Sequence, residues 1–245
     1  RKLLLVLPLL FLLPVGCSVL RTDGGTPWYA ASRDATGLSP DPATTRDAVV
    51  QVFGARTVGW RGAFGVHTWI VVKRSGAERY TRYEVVGWGV DRGAPAIRVD
   101  RMGPDNYWFG ARPDLLAERR GPDVDGVIDR VEAAVKTYPY PDRYRTWPGP
   151  NSNTFVAHVA RQVPELRLDL PPTAIGKDYL PSGLFAATPS GTGYQFSLFG
   201  LAGLLVAGEE GLEVNLLGLT LGVDPLDLAV KLPGIGRLTL ATPAP

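Results

Sequence analysis

Pro148-Gly149-Pro150-Asn151-Ser152-Asn153-Thr154-Phe155 is the point at which an irregular segment becomes a helix. Pro148 and Pro150 lack N–H groups and Gly149 is flexible, so the approach cannot be helical. Beyond it, residues 155–163 place apolar side chains at 155, 156, 159 and 163, the spacing of an amphipathic helix. Asn151, Ser152 and Asn153 are all good helix N-caps. A small hydroxyl residue therefore stands at a helix opening, near unpaired N–H groups and the positive end of the helix dipole. Nucleophiles occupy such corners, and so do plain caps; the stretch by itself admits both.

Working outward, residues 123–136 carry apolar side chains at 124, 127, 128, 131 and 135, with acids at the start and Lys136 at the end, which predicts a second helix. Upstream lie four strand candidates, 48–53, 66–73, 79–88 and 96–101, rich in β-branched and aromatic residues. The aromatic segment 105–109 is expected to fill core. Downstream, 173–181 reads as a loop with Gly176-Lys177-Asp178 at its tip. Residues 194–240 change character. Apolar runs alternate with the turns Gly208-Glu209-Glu210-Gly211 and Gly222-Val223-Asp224-Pro225, and 226–232 alternates with period two. A β-meander is expected there, with helices lying at a membrane surface as the alternative.

The 245 residues, 45% of them hydrophobic, suffice for one substantial core or a core plus an appended subdomain. Gly 29 and Pro 22 favour a β-rich, loop-rich chain. Twenty-six basic and 24 acidic residues are dispersed, with no basic block, so no nucleic-acid partner is expected. The single Cys17 rules out an intrachain disulfide, and with only His67 and His158 a multi-histidine zinc site is not expected. No Gly-rich phosphate loop occurs, and no cofactor is predicted.

At the start, Arg1-Lys2 and the apolar run 3–13 read as a secretory signal, short for a membrane-crossing helix. Pro14-Val15-Gly16-Cys17-Ser18 resembles a bacterial lipoprotein processing site with Cys17 as the lipidated residue, although Pro14 stands where leucine is usual. An uncleaved anchor over 1–20 is the alternative. Residues 21–46, rich in Gly, Pro, Ser, Thr and Asp, are expected to tether the domain to the membrane.

The pattern GVHTWIVV (65–72), YEVVGW (83–88) and PGPNSNTF (148–155) resembles the circularly permuted papain-like superfamily, which includes the permuted desumoylating isopeptidases and the lecithin retinol acyltransferase group. A closer resemblance, through YPYPDRYR, LPPTAIGKDYL and KLPGIGRL, spans about 49–240 and is to the bacterial domain-of-unknown-function 3750 family. The papain-like resemblance implies that His67 is the catalytic histidine and Ser152 the nucleophile, serine replacing the usual cysteine. A serine hydroxyl does not ionise near neutral pH, so it needs a general base in hydrogen-bond contact and an oxyanion hole. His67 would be the base. Its orienting partner would come from the following strand, which offers Tyr83 or Glu84; Glu84 is preferred because a carboxylate stabilises the imidazolium. Asn151, Asn153, Trp69 and Lys177 would line the substrate.

The expected fold is α+β: a permuted papain-like antiparallel sheet packed on helices over 47–190, then an apolar β-rich segment over 191–245. The expected function is an exported, membrane-tethered bacterial envelope hydrolase or acyltransferase acting on an amide or ester. Its substrate would be an envelope peptide, glycan or acyl group. The alternatives are a non-catalytic envelope binding module using the old cleft, and a membrane-surface protein whose 194–240 segment is the working part.

Overall fold

A computed structural model describes residues 3–21 and 26–239, with side chains for 9–20 and 26–239. Five strands form the first sheet: β1 (Ala48–Arg56), β2 (Val66–Lys73), β3 (Thr81–Val85), β4 (Ile97–Val99) and β5 (Asp114–Gly121). Their order is β4-β3-β2-β1-β5, and every pairing is antiparallel. The first four fall where β-branched residues cluster. Strand β5 was not expected, because Asp-Leu-Leu-Ala-Glu-Arg-Arg-Gly carries too much charge for a half-buried strand. It lies at the sheet edge, where solvent takes those charges.

The two faces of this sheet are filled differently. Val50, Val52, Ile70 and Val72 pack against α2 (Val124–Lys136) and α3 (Ser152–Gln162), chiefly on Ile128, Val131, Phe155 and Val159. Phe53, Trp69 and Val71 point the other way, into a smaller cluster closed by Trp108. Part of the expected tether helps to cover that second face. Asp105 Oδ2 accepts from the Leu38 and Ser39 amides at 2.5 and 3.1 Å, and Tyr107 N donates to Asp34 O at 2.9 Å. Residues 34–39 are thus hydrogen-bonded to the segment around Asp105 and Tyr107.

The expected meander is present as a second antiparallel sheet of seven strands in sequence order. These are β6 (Phe185–Ala187), β7 (Gly193–Leu198), β8 (Ala202–Ala207), β9 (Gly211–Leu216), β10 (Leu219–Asp224), β11 (Ala229–Leu232) and β12 (Gly236–Thr239). The chain is therefore α+β, with two antiparallel sheets. A helix α1 (Leu3–Arg21) precedes them, and its Ser18 Oγ lies 3.0 Å from Gly234 O in the β11–β12 turn. No helix among the described residues is long and apolar enough to cross a membrane.

Candidate functional site

Strand alternation decides where His67 points. It shares a face of β2 with Trp69, which pairs across the ladder with Glu84 of β3, and so reaches Glu84 on the diagonal; Arg82 stands on the same face of β3 two residues before Glu84. His67 Nε2 lies 2.9 Å from Glu84 Oε2, with both side chains buried. Arg82 Nη2 donates to the same carboxylate oxygen at 2.8 Å and its Nη1 to Gly103 O at 3.0 Å. The Arg82 guanidinium lies 4.1 Å over the Trp69 ring, and Trp108 stacks on the imidazole with ring centroids 3.8 Å apart. The exposed Trp88 stacks on Trp108 in turn.

This constellation sets protonation. Burial lowers the His67 pKa below its ordinary value, a shift that the Glu84 contact only partly offsets. Burial alone would raise Glu84, but its hydrogen bond from His67 and the Arg82 charge outweigh it and hold the carboxyl below the usual range. A carboxylate only accepts, so the neutral imidazole carries its proton on Nε2 and keeps a lone pair on Nδ1.

The opening of α3 is built by its own cap. Asn151 Oδ1 accepts from the Asn153 and Thr154 amides, while Thr154 Oγ1 accepts from Asn151 N, completing a reciprocal capping box. Asn151 Nδ2 donates to Thr146 O and to Ile175 O at 3.1 and 2.9 Å. That reach depends on Gly176, where a Cβ would come within 2.4 Å of the Asn151 amide. Asn153 Nδ2 donates to Val66 O and Ile175 O. Replacing Asn151 by alanine removes the cap and both amide bonds. A loss of about 2 kcal/mol is expected, the upper end for a capping residue, read from urea unfolding at neutral pH.

His67 and Glu84 are thus brought together, as the resemblance implies. Ser152 and His67 share no hydrogen bond among the described residues. The β2 side chain that reaches the start of α3 is Thr68, whose Oγ1 lies 2.9 Å from Asn153 Oδ1 and 3.3 Å from Ser152 O. Adjacent residues of a strand project to opposite faces, so the side chain committed to α3 is not the imidazole.

The four expected substrate contacts are engaged elsewhere. Trp69 is fully buried and donates Nε1–H to Pro104 O at 2.7 Å. Lys177 is buried against Glu213 of β9 at 2.5 Å. Asn151 and Asn153 are spent on the cap and on backbone carbonyls. In this structure the four side chains are hydrogen-bonded or ion-paired within the chain. Arg82 and Trp108 were missed. Arg82 sits two residues before Glu84, on the same strand face, a signal that the alternation of β3 contained.

A cavity of about 550 Å³ is lined by neither His67 nor Ser152. Tyr140, Tyr144, Tyr179, Arg143, Arg145 and Asp142 line it, and it extends to Gly87 just beyond β3 and to Pro150 just before the α3 cap.

No curated protein and no solved structure matches the chain. One family model does, described as "Protein of unknown function (DUF3750)", over residues 47–179. That segment holds the whole five-stranded sheet, α2, α3 and the His67–Glu84–Arg82 cluster, and since it covers more than half of the sequence, the chain belongs to the DUF3750 family.

Proposed function

We propose that the protein is a non-catalytic binding module of the bacterial envelope. The observation that supports this reading is the contact at the opening of α3. Thr68 fills the place beside the helix where a hydrolase would need its base, and the cavity reaches the chain at Pro150, just before the α3 cap. Three tyrosines offer faces on which a sugar ring or a peptide side chain can stack, and Arg143 and Arg145 supply charge for a carboxylate. A glycan or peptide carrying an acid group is the ligand class that this lining suits.

Titration calorimetry with soluble peptidoglycan fragments tests it. Binding that weakens about tenfold in Arg143→Ala, the loss of one contact near 1.4 kcal/mol, supports the cavity. No binding by the wild-type chain at millimolar fragment removes the reading.

One observation favours acyl transfer instead. His67 has its tautomer fixed by a carboxylate and its Nδ1 lone pair uncommitted among the described residues, which is how a general base is prepared. The two readings differ on Ser152, whose Oγ makes no hydrogen bond among the described residues. On the binding reading Ser152→Ala leaves any turnover of an activated ester as it was. Loss of turnover in both Ser152→Ala and His67→Gln, with folding retained, would replace binding by catalysis.

A further inference from the structure

The seven-stranded sheet is amphipathic in the inverted sense. Its inward face is polar: Gln195, Glu213, Asn215, Thr220, Asp224 and Lys231 are all buried. Several of those groups bond to the domain beneath, through Arg161 to Gln195 at 2.8 Å, Asn215 to Asp178 at 2.6 Å, and Lys231 to Asp169 at 2.6 Å. The outward positions of the same strands are apolar. Tyr194, Leu204, Val206, Leu212, Val214 and Val223 stand in register on one surface, each between 43% and 78% exposed. No charged residue of β7–β10 points outward. Soluble monomers seldom present contiguous apolar surface beyond a few hundred Å².

We propose that this outward face lies on the hydrocarbon surface of a lipid layer, with the strands flat against it. Three observations select lipid over other coverings. The apolar surface continues past both ends of the strands. Phe199 and Leu217 sit at hairpin tips on one end and Leu226 and Leu228 at a turn on the other, all more than half exposed. A facing sheet of equal size leaves such tips in water; a continuous apolar phase does not. Second, the face is small for a stable dimer. Seven strands at ~4.8 Å spacing, none longer than six residues, give a footprint of about 650 Å². Two copies would then bury on the order of 1,300 Å², against the 2,000 Å² and above of apolar obligate pairs. Third, α1 exposes Leu9, Leu10, Leu12 and Leu13 and ends beside the β11–β12 turn of the same sheet, so a second apolar surface adjoins the meander.

The strands do not cross the layer. Six residues span about 20 Å, whereas membrane-crossing strands need 9–11 residues. The inward face also keeps its ion pairs with the domain. The geometry is that of a sheet resting in the interface, with side chains reaching roughly 5–10 Å below the headgroups, as the apolar faces of interfacial helices do.

The experiment uses the full chain with Cys17→Ser, so that a single new cysteine carries an environment-sensitive fluorophore. Val214→Cys reports the face, Leu204→Cys repeats it one strand away, and Glu78→Cys in an exposed turn is the control. Vesicles of phosphatidylethanolamine and phosphatidylglycerol carry nitroxide lipid with the spin label near the headgroup end of the acyl chain. Labels at 214 and 204 are expected to shift to the blue and to lose roughly half their intensity to the nitroxide, while the label at 78 does neither. The proposal is overturned if vesicle-bound chain shows no quenching at 214 and 204, since α1 alone then holds it. It is equally overturned if the labels quench one another without lipid, the mark of a second copy, or if the chain does not bind vesicles.

Discussion

Glu84→Ala is expected to lower folding stability by about 3–5 kcal/mol, the range for breaking a buried charge pair by removing one member. The Arg82 side chain is 1% exposed and has one carboxylate partner. Without Glu84 it keeps a hydrogen bond to Gly103 O and its place over the Trp69 ring, and the negative charge that remains near it is that of Asp105, which makes no ion pair with it among the described residues. His67→Gln should cost less, about 1–2 kcal/mol. The imidazole is neutral, and Glu84 keeps its stronger partner when the ring is gone. Urea unfolding of the two variants checks the order. A His67→Gln variant less stable than Glu84→Ala would mean that the histidine, and not the arginine, is what the carboxylate serves.

The same cluster gives the protein an acid limit. Burial holds the folded-state pKa of His67 below the ordinary histidine value of about 6.5, so the unfolded chain takes up the proton first. The contribution of His67 to stability is complete above that unfolded value and is lost as pH falls through the folded one. Glu84 has the same sign from a lower starting point, since its folded pKa lies below 4.5. Asp178 opposes them. Burial raises its pKa, so its protonation relieves the folded state as the solution is acidified. Stability should therefore begin to decline below about pH 6.5; His158, which burial also lowers, adds to that phase, so a His67→Gln variant should weaken it while keeping the decline below about pH 4.5.

Much of this fold was readable from local pattern. The period of α2, the cap of α3 and the β-branched runs of β1 to β3 each come from a stretch a few residues long, and each was found where expected. What escaped depends on partners distant in sequence. Strand β5 owes its place to pairing with β1, and its Glu-Arg-Arg run gives no local sign of a ladder. Residues 34–39 look like linker by composition, and bonds to Asp105, Tyr107 and Gln51, distant in sequence, tie them down. The site divides in the same way. His67 and Glu84 meet because β2 and β3 form neighbouring antiparallel strands, which alternation foretells. That Thr68 and not His67 addresses α3 follows from how helix and sheet dock, and no local spacing contains it. Lys177 misled for a related reason. A lysine at a loop tip looks solvent-facing until a second sheet is laid over it.

That second sheet supplies the other large effect. Glu213 on β9 joins two buried ammonium groups, Lys177 Nζ at 2.5 Å and Lys231 Nζ at 2.7 Å. Lys231 also has Asp169 at 2.6 Å, whereas Lys177 has only the Leu170 carbonyl besides. Burial works against the charge on Lys177, but Glu213 and the neighbouring Asp178 and Asp169 outweigh it and hold its pKa above the ordinary lysine value. Glu213→Ala therefore leaves one ammonium without its direct carboxylate partner, at an expected cost of about 3–5 kcal/mol. The loss should appear first in the meander. Amide exchange in β8 to β10 is expected to accelerate before that in β1 and β2, because Glu213 fastens the second sheet to the loop at 177 while the first sheet has a core of its own. Replacing both partners, Lys177→Met with Glu213→Leu, should recover much of the loss, since apolar side chains of similar size substitute well for a buried pair. Uniform acceleration in both sheets would show that they unfold as one unit. A double variant no more stable than Glu213→Ala would show that the pair contributes through packing and not through charge.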